Sequence, residues 1–338
     1  MKRIYFTVLI WIFWIALAGC NTSDGEGFNR ELFTVSGPVD AGEIGFALSH
    51  EHLMSNFGLP IDETHNYDEA VLFEQVIPYA KKLHTLGVHT IFDYTAAYFG
   101  RRADILKTIS DSTGILIVTN TGIYGAANDR YIPDYAYLET PEELAARWAD
   151  EFENGIDGTG IRPGFMKLAF DSGGPSEIDK KLFEAGVLTH LQTGMTIAVH
   201  TGSNPNAVHS QLEILDRHKV SPEAWIWTHA NWHTDTDFLL KVASRGGWIS
   251  LDGVKEDNID EYINRLEIFR REELLHKVLL SHDGDAWPMG AEIRPFHAIS
   301  THLLPALREN GFTEEEIKLI FTKNPGMAYG IKIRPAKD

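Results

Sequence analysis

The stretch "GEIGFALSHEHL" (42–53) is a short apolar run that ends with two histidines on either side of one glutamate. If this run is a β-strand, successive side chains point to opposite faces, so His50 and His52 lie on the same side. That spacing suits two ligands of one metal ion. On its own it is weak support for a metal site, because the chain contains 15 histidines.

Short apolar runs alternate with amphipathic stretches from Glu31 onward, which is typical of βα units. The predicted strands cover residues 44–50, 89–95, 114–120, 164–170, 195–201, 224–230, 246–252 and 277–283. Eight strands, each followed by a helix, predict an α/β fold of the TIM (β/α)8 barrel type, as a single domain over residues 31–335. A doubly wound open sheet is the main alternative. It would normally bring a Gly-rich phosphate loop after the first strand, and the sequence has none there.

Residues that could bind a metal recur at the ends of the predicted strands. They are His50, His52, Lys167, His200, His229 and Asp283. In a barrel the C-terminal ends of all strands converge on one mouth, where the active site lies, so we expect these side chains to be neighbours. Four imidazoles and one carboxylate suit Zn²⁺ or a similar first-row ion, and five such ligands suit two ions better than one. Strand alternation turns His282 away from this group, which predicts a structural role for it.

The chain resembles the phosphotriesterase family of the amidohydrolase superfamily, which includes phosphotriesterase-like lactonases and phosphotriesterase-related proteins. The resemblance runs from "TVSGPVDAGEIGFALSHEH" (34–52) to "TKNPGMAYG" (322–330). The family order is His-x-His on strand 1, Lys on strand 4, His on strands 5 and 6, and Asp on strand 8, and this sequence keeps all six positions. The resemblance implies a TIM barrel with a binuclear metal centre at the C-terminal mouth of its strands.

The resemblance also gives Lys167 a role. An ammonium group has no lone pair to give to a metal, so spacing alone leaves a salt bridge to a nearby carboxylate as an equal interpretation. The family instead implies that CO₂ converts Lys167 to a carbamate whose two oxygens bridge the ions. His50, His52 and Asp283 would hold the more buried ion, and the two remaining histidines the more exposed one.

The implied cofactors are two divalent ions, Zn²⁺ first, with Mn, Co or Fe as alternatives. A hydroxide bridging both ions is the implied nucleophile, because metal binding lowers the pKa of water. Asp283 would accept the proton released during the attack. "TNTGIY" (119–124) resembles the strand-3 segment of the lactonases, where a tyrosine at the position of Tyr124 contacts the lactone; a packing role at the rim is the alternative.

The expected substrate is a small ester, and we expect an unphosphorylated lactone. Gly253 stands where many lactonases carry an arginine, and "SHDGDAWPMG" (281–290) lacks the basic, aromatic-rich segment of members that take phosphorylated sugar lactones. Phosphotriesterase or arylesterase activity is the second hypothesis. A lipid-anchored binding protein that has lost turnover is a third, but such a protein would be expected to lose Lys167 or Asp283, and both are kept.

The N-terminus predicts export and a lipid anchor. Lys2 and Arg3 precede an apolar run over residues 4–18, which is shorter than the ~20 residues needed to span a bilayer. "LAGC" (17–20) resembles the lipobox of bacterial lipoproteins. We therefore expect a lipoprotein signal peptide over residues 1–20, lipidation at Cys20, a flexible tether over 21–30, and an extracytoplasmic location on a bacterial membrane, in the cell envelope or periplasm.

The net charge limits the kinds of partner that the protein is expected to bind. A formal net charge of -18 argues against a protein that binds nucleic acid through clusters of lysine and arginine. The expected partner is a small-molecule ester or lactone, with the membrane contacted only through the N-terminal lipid. A homodimer is left open as the assembly.

Overall fold

A computed structural model describes residues 30–289 and 291–336. The predicted signal peptide, the lipid-anchor residue Cys20 and the tether up to residue 29 lie outside the described residues and stay predictions. Within the described ranges, no helix is both long and apolar enough to cross a bilayer.

Twelve strands are described. They are β1 (Glu31–Thr34), β2 (Gly37–Asp40), β3 (Ala47–His52), β4 (Thr90–Asp93), β5 (Leu116–Val118), β6 (Asn120–Thr121), β7 (Phe165–Ala169), β8 (Thr196–His200), β9 (Trp225–Thr228), β10 (Trp248–Asp252), β11 (Val278–Ser281) and β12 (Gly284–Asp285). The first two form an antiparallel hairpin outside the barrel order.

The α-helices between and after these strands are α1 (Glu69–Thr85), α2 (Ala103–Thr113), α3 (Asp134–Leu138), α4 (Pro141–Asn154), α5 (Glu177–Thr193), α6 (Pro205–Arg217), α7 (Thr236–Ser244), α8 (Ile259–Arg271), α9 (Leu304–Glu309), α10 (Glu314–Lys318) and α11 (Asn324–Tyr329). Sequence signals start the longer ones. Thr140 and Ser176 begin α4 and α5 with capping boxes, in which the side chain accepts from the third helical amide.

The remaining strands are all parallel and follow one another in chain order. One ladder runs β11-β10-β9-β8-β7-β6 and the other runs β12-β3-β4-β5. Only Thr119 separates β5 from β6, and only two residues separate β11 from β12, so each pair is one interrupted strand of the barrel. The Asp283 amide donates to the His50 carbonyl at 3.2 Å, which joins the last strand to the first. The predicted (β/α)8 order is confirmed.

Glu51, the residue between the two histidines of the opening stretch, holds this junction. Its side chain is fully buried and accepts from the Ser281 hydroxyl at 2.7 Å, from the amide and Nδ1 of His282 at 3.1 and 2.5 Å, and from the Gly284 amide at 2.7 Å. A buried carboxylate with four donors is fully satisfied. Glu51 therefore serves as a clamp between the first and last strands, on the face opposite His50 and His52.

Aromatic rings fill the barrel interior beneath the site. The Tyr329 ring stacks on Phe92 with centroids 3.9 Å apart, and its hydroxyl donates to the Ser49 carbonyl at 2.9 Å. Tyr94 lies above, stacked against the His50 ring at 3.8 Å. Close packing of this kind leaves few alternative rotamers, so the floor of the mouth is rigid.

Candidate metal centre

A cavity of about 430 Å³ opens at the C-terminal ends of the barrel strands. All six residues predicted as metal ligands line it, together with Tyr124. The structure thus brings together side chains that lie as far apart in sequence as His50 and Asp283. His282 is not among the lining residues, and its Nε2 instead accepts from the Ile299 amide at 3.0 Å.

Three acceptor atoms converge on the cavity floor. Nε2 of His50 and Nε2 of His52 each lie 3.3 Å from Oδ1 of Asp283. The tautomer of His52 follows from its other nitrogen: the Thr95 hydroxyl gives its proton to the Met54 carbonyl at 2.6 Å, so it must accept from Nδ1–H of His52 at 2.9 Å. This leaves a lone pair on Nε2 of His52, directed at the carboxylate.

Asp252 holds two of the cavity histidines and was missed by the sequence reasoning. Its Oδ2 lies 3.3 Å from Nδ1 of His50 and 3.6 Å from Nδ1 of His229, and it accepts from the His229 amide at 2.8 Å. The Ser250 hydroxyl donates to Oδ1 at 2.6 Å. A carboxylate behind a ligand histidine fixes the ring and its tautomer. Its position at the end of a predicted strand, like the other site residues, was the available signal.

The donor set fits a divalent cation. Burial lowers the pKa of His229 to about 3, and it lowers the pKa values of His50 and His200 well below their usual range, so these rings are neutral. Neutral rings whose Nδ1 sides face Asp252 present Nε2 lone pairs to the cavity beside Asp283. Lone pairs at such distances repel unless a cation lies between them, and imidazole with carboxylate is a donor set that suits Zn²⁺ and its neighbours.

Two of these residues have a strained backbone. His229 has φ 60° and Asp283 has φ 54°, in the left-handed region that residues other than glycine rarely adopt. Both are buried or partly buried at the point where a strand ends. Such strain persists where the surrounding structure over-determines it, and it is concentrated at functional sites. Here it turns both side chains into the cavity directly after their strands.

Lys167 is buried among these groups without a salt bridge, although the charges of Asp283 and Asp252 act on it. It is 2% exposed, and its Nζ lies 4.4 Å from the centroid of the Tyr94 ring. It forms neither a hydrogen bond nor an ion pair with any residue of 30–289 or 291–336. The salt bridge that spacing left open is therefore not formed in this part of the chain. Burial lowers the pKa of Lys167 to about 7, so a neutral, nucleophilic amine is accessible near neutral pH.

The cavity walls differ in chemistry. One wall is aromatic: the Trp232 ring stacks on His229 at 4.5 Å, the Tyr124 ring meets His200 edge-on at 5.5 Å, and Phe57 lies beside Tyr124 at 6.1 Å. The other wall comes from the segment after β12, where the charged side chains of Glu292 and Arg294 lie beside apolar residues. The cavity therefore has an apolar side and a charged side above one polar floor.

A parallel β/α barrel with buried histidines, a buried lysine and carboxylates at its C-terminal mouth defines a barrel metallohydrolase. The model of the phosphotriesterase family matches residues 30–329, and the chain belongs to this family. The predicted membership is confirmed, and the protein is a metal-dependent hydrolase acting on ester bonds.

Relatives of known name cover nearly the whole fold. A phosphotriesterase homology protein of Mycobacterium tuberculosis is 30% identical over an alignment of 319 residues. The alignment covers 87% of this chain and 96% of that protein. An aryldialkylphosphatase of Saccharolobus solfataricus is 29% identical over an alignment of 305 residues. The alignment covers 85% of this chain and 95% of that protein. The structure of a mutant organophosphorus hydrolase from Deinococcus radiodurans superposes with a TM-score of 0.80 at 26% identity, covering 90% of this chain and 98% of that one.

Proposed function

We propose that this protein hydrolyses a small unphosphorylated lactone at a centre of two divalent ions. The observation that carries the choice of substrate is the buried Tyr124 ring packed edge-on against His200 inside the cavity. At about 430 Å³ the cavity lies toward the lower end of the ~300–1,000 Å³ typical of small-molecule sites. A flat lactone fits such a space better than a tetrahedral centre with three bulky substituents.

In this proposal His50, His52 and Asp283 would hold one ion, and His200 and His229 would hold the other. The bound ions supply a lowered pKa for water and polarisation of the ester carbonyl. Asp283 is the carboxylate nearest the reacting centre and accepts the proton that the attacking water loses.

Lys167 would hold the two ions together as a carbamate. Its neutral amine attacks the carbon of CO₂, one C=O π pair moves onto oxygen as the N–C bond forms, and one N–H proton is released to solvent. The neutral amine thereby becomes a singly negative group. Two observations support this step: the amine forms no hydrogen bond or ion pair within the described residues, and its lowered pKa makes the nucleophilic form accessible.

The remaining cavity residues orient the substrate. Burial raises the pKa of Tyr124, so its hydroxyl keeps its proton and can donate a hydrogen bond to the substrate's ring oxygen. Trp232 covers His229 and limits the access of bulk water on that side. Asp252 keeps His50 and His229 in one orientation throughout the reaction.

A phosphotriester or an aryl ester is the second candidate. The names of the aryldialkylphosphatase and the organophosphorus hydrolase among the relatives favour it. The aromatic wall formed by Phe57, Tyr124 and Trp232 also suits an apolar leaving group.

A substrate panel distinguishes the two. Metal-loaded protein should show a larger kcat/KM for at least one unphosphorylated lactone than for any phosphotriester or aryl ester in the panel. Tyr124→Phe should lower lactone turnover more than aryl ester turnover. Efficient cleavage of phosphotriesters without metal-dependent hydrolysis of any lactone would overturn the proposal and establish the second candidate.

A further inference from the structure

Arg294 lies on the charged wall of the cavity, and the fold fixes its backbone there. Its amide donates to the Asp285 carbonyl at 3.0 Å, and the Asp285 amide donates back to the Arg294 carbonyl at 2.8 Å. Two residues further on, Phe296 is fully buried and its amide donates to the Tyr79 hydroxyl at 2.7 Å. The segment after β12 is therefore folded back onto that strand, and the Arg294 side chain reaches the cavity from a fixed position.

The guanidinium of Arg294 has no hydrogen-bond partner among the residues that the structure describes. Every other arginine in 30–289 and 291–336 donates at least one side-chain hydrogen bond. For Arg294 the nearest carboxylate oxygen is Oδ2 of Asp283, 3.8 Å from Nη1, which is beyond hydrogen-bonding distance. The arginine side chain is 55% exposed, so it faces the open part of the cavity.

The proposed function removes even this distant partner. If Asp283 holds a divalent ion, its negative charge is taken up by that ion, and no other carboxylate oxygen of the described residues lies within 4.0 Å of the Arg294 guanidinium. The only other basic side chain lining the cavity within the described residues, Lys167, lies on the floor, and in the proposed function it is a carbamate. Five donors in a planar fork then face the space above the reacting centre.

We infer that Arg294 binds a carboxylate carried by the substrate at a position away from the bond that is cleaved. This inference rests on the proposed function and narrows its substrate class to small lactones or esters with one free carboxylate. A single guanidinium matches the two oxygens of a carboxylate in a bidentate pair. A phosphate dianion fits less well, because Glu292 on the same wall repels the second negative charge.

The substrate is thereby oriented by three surfaces. The ester group lies on the polar floor, the carboxylate points toward Arg294, and the hydrocarbon part lies against Phe57 and Trp232. Arg294 acts on binding and specificity, and its removal is therefore expected to raise KM for a carboxylated substrate more than it lowers kcat.

The test compares 5-oxotetrahydrofuran-2-carboxylate with its neutral carboxamide on the metal-loaded protein. The ratio of kcat/KM for the acid to that for the amide should fall by about 10- to 100-fold in Arg294→Met, the range expected for losing hydrogen bonds to a charged group. Arg294→Lys keeps the charge without the fork and should give an intermediate ratio. Arg271→Met is the matched control, because Arg271 is an exposed residue at the end of α8 that bonds its neighbour Glu272, and it should keep the wild-type ratio.

An unchanged ratio in Arg294→Met would overturn the inference while leaving lactone hydrolysis intact. If neither lactone is hydrolysed, calorimetry with glutarate decides the inference separately from the proposed function, which fails only if no lactone of the panel is hydrolysed. Binding of glutarate to metal-loaded wild type about tenfold more tightly than to Arg294→Met would support it, and equal binding would overturn it. A phosphorylated lactone preferred over the carboxylated one would overturn the choice of carboxylate.

Discussion

His50 and His229 in the cavity and His190 and His282 outside it are all buried, with 5% exposure or less, yet their ring nitrogens have different partners. In both outer residues, one ring nitrogen donates to an oxygen and the other accepts from a backbone amide, at distances of 2.5 to 3.0 Å. In both cavity residues, Nδ1 makes no hydrogen bond within the described part of the chain and only faces the carboxylate of Asp252.

This difference in hydrogen bonding distinguishes the structural histidines from the histidines of the candidate metal centre. A neutral imidazole has one donor and one acceptor, and the fold satisfies both in His190 and His282. In the cavity, the fold instead gathers acceptors around one space and leaves their lone pairs without donors, which costs free energy unless a cation takes up that space. Burial alone does not distinguish the two groups, whereas hydrogen-bond satisfaction does.

The largest expected effect contrasts one histidine from each region. His50→Asn should lose bound metal and lower kcat/KM by about a thousandfold, because an ion supplies several kcal/mol of transition-state stabilisation. His282→Asn should keep its metal but lower the free energy of unfolding by about 1–3 kcal/mol, since Glu51 and the Ile299 amide lose a partner. Elemental analysis, kinetics and denaturant unfolding measure these outcomes. Loss of metal in His282→Asn with retention in His50→Asn would reverse the comparison.

Lys167→Ala tests whether the buried amine of Lys167 belongs to the metal site together with the cavity histidines. We expect a loss of metal and a fall in kcat/KM of about 100- to 1,000-fold, because the proposed bridge between the ions disappears. Added propionate should restore part of both, and added propylamine should restore neither, because only the carboxylate can replace an anionic bridge. Full metal content with normal turnover in Lys167→Ala would exclude the carbamate.

His190, one of the two histidines outside the cavity, should contribute to the pH dependence of the free energy of unfolding. Burial lowers the pKa of His190 to about 4, against about 6.5 in the unfolded chain. The unfolded state therefore binds more protons between these values, and the free energy of unfolding falls as the pH drops from 6.5 to 4, by about 3 kcal/mol in total from this residue. In His190→Gln, denaturant unfolding should give a pH slope shallower by about 1.4 kcal/mol per pH unit in that window. An unchanged slope would mean that folding does not lower the pKa of His190.

The smallest expected effect belongs to Asp252, which touches the cavity histidines from behind. Asp252→Asn keeps the shape of the side chain and removes its charge, so metal affinity and kcat/KM should fall by about 10- to 100-fold, as for other residues that orient ligands. Asp216→Asn, at an exposed ion pair with Arg245, is the control and should change neither. No change in Asp252→Asn would show that the cavity histidines need no carboxylate behind them.

Most of the metal site could be predicted because it depends on strand order. Alternation along a strand and convergence of strand ends in a barrel are both set by sequence, and they place His50, His200 and Asp283 at one mouth without any knowledge of packing. The same rule also places Asp252 at this mouth, because Asp252 is the last residue of β10.

The charged wall could not be predicted in the same way. The stretch 281–290 contains no lysine or arginine, yet Arg294, which lies beyond that stretch, reaches the cavity. It does so because the chain folds back to pair with Asp285 and buries Phe296. A fold-back of this kind depends on long-range packing, which local sequence patterns do not encode.

The clamp formed by Glu51 can close only late in the synthesis of the chain. The bonds that it accepts join residues 230 to 233 positions apart, so they form only after most of the chain has been synthesised. Most of the side chains that line the cavity precede β11 and β12 in the sequence, but until those strands have left the ribosome the first strand has nothing to close against. A chain that ends before residue 278 therefore lacks both Asp283 and the partners of Glu51, and it cannot complete the cavity.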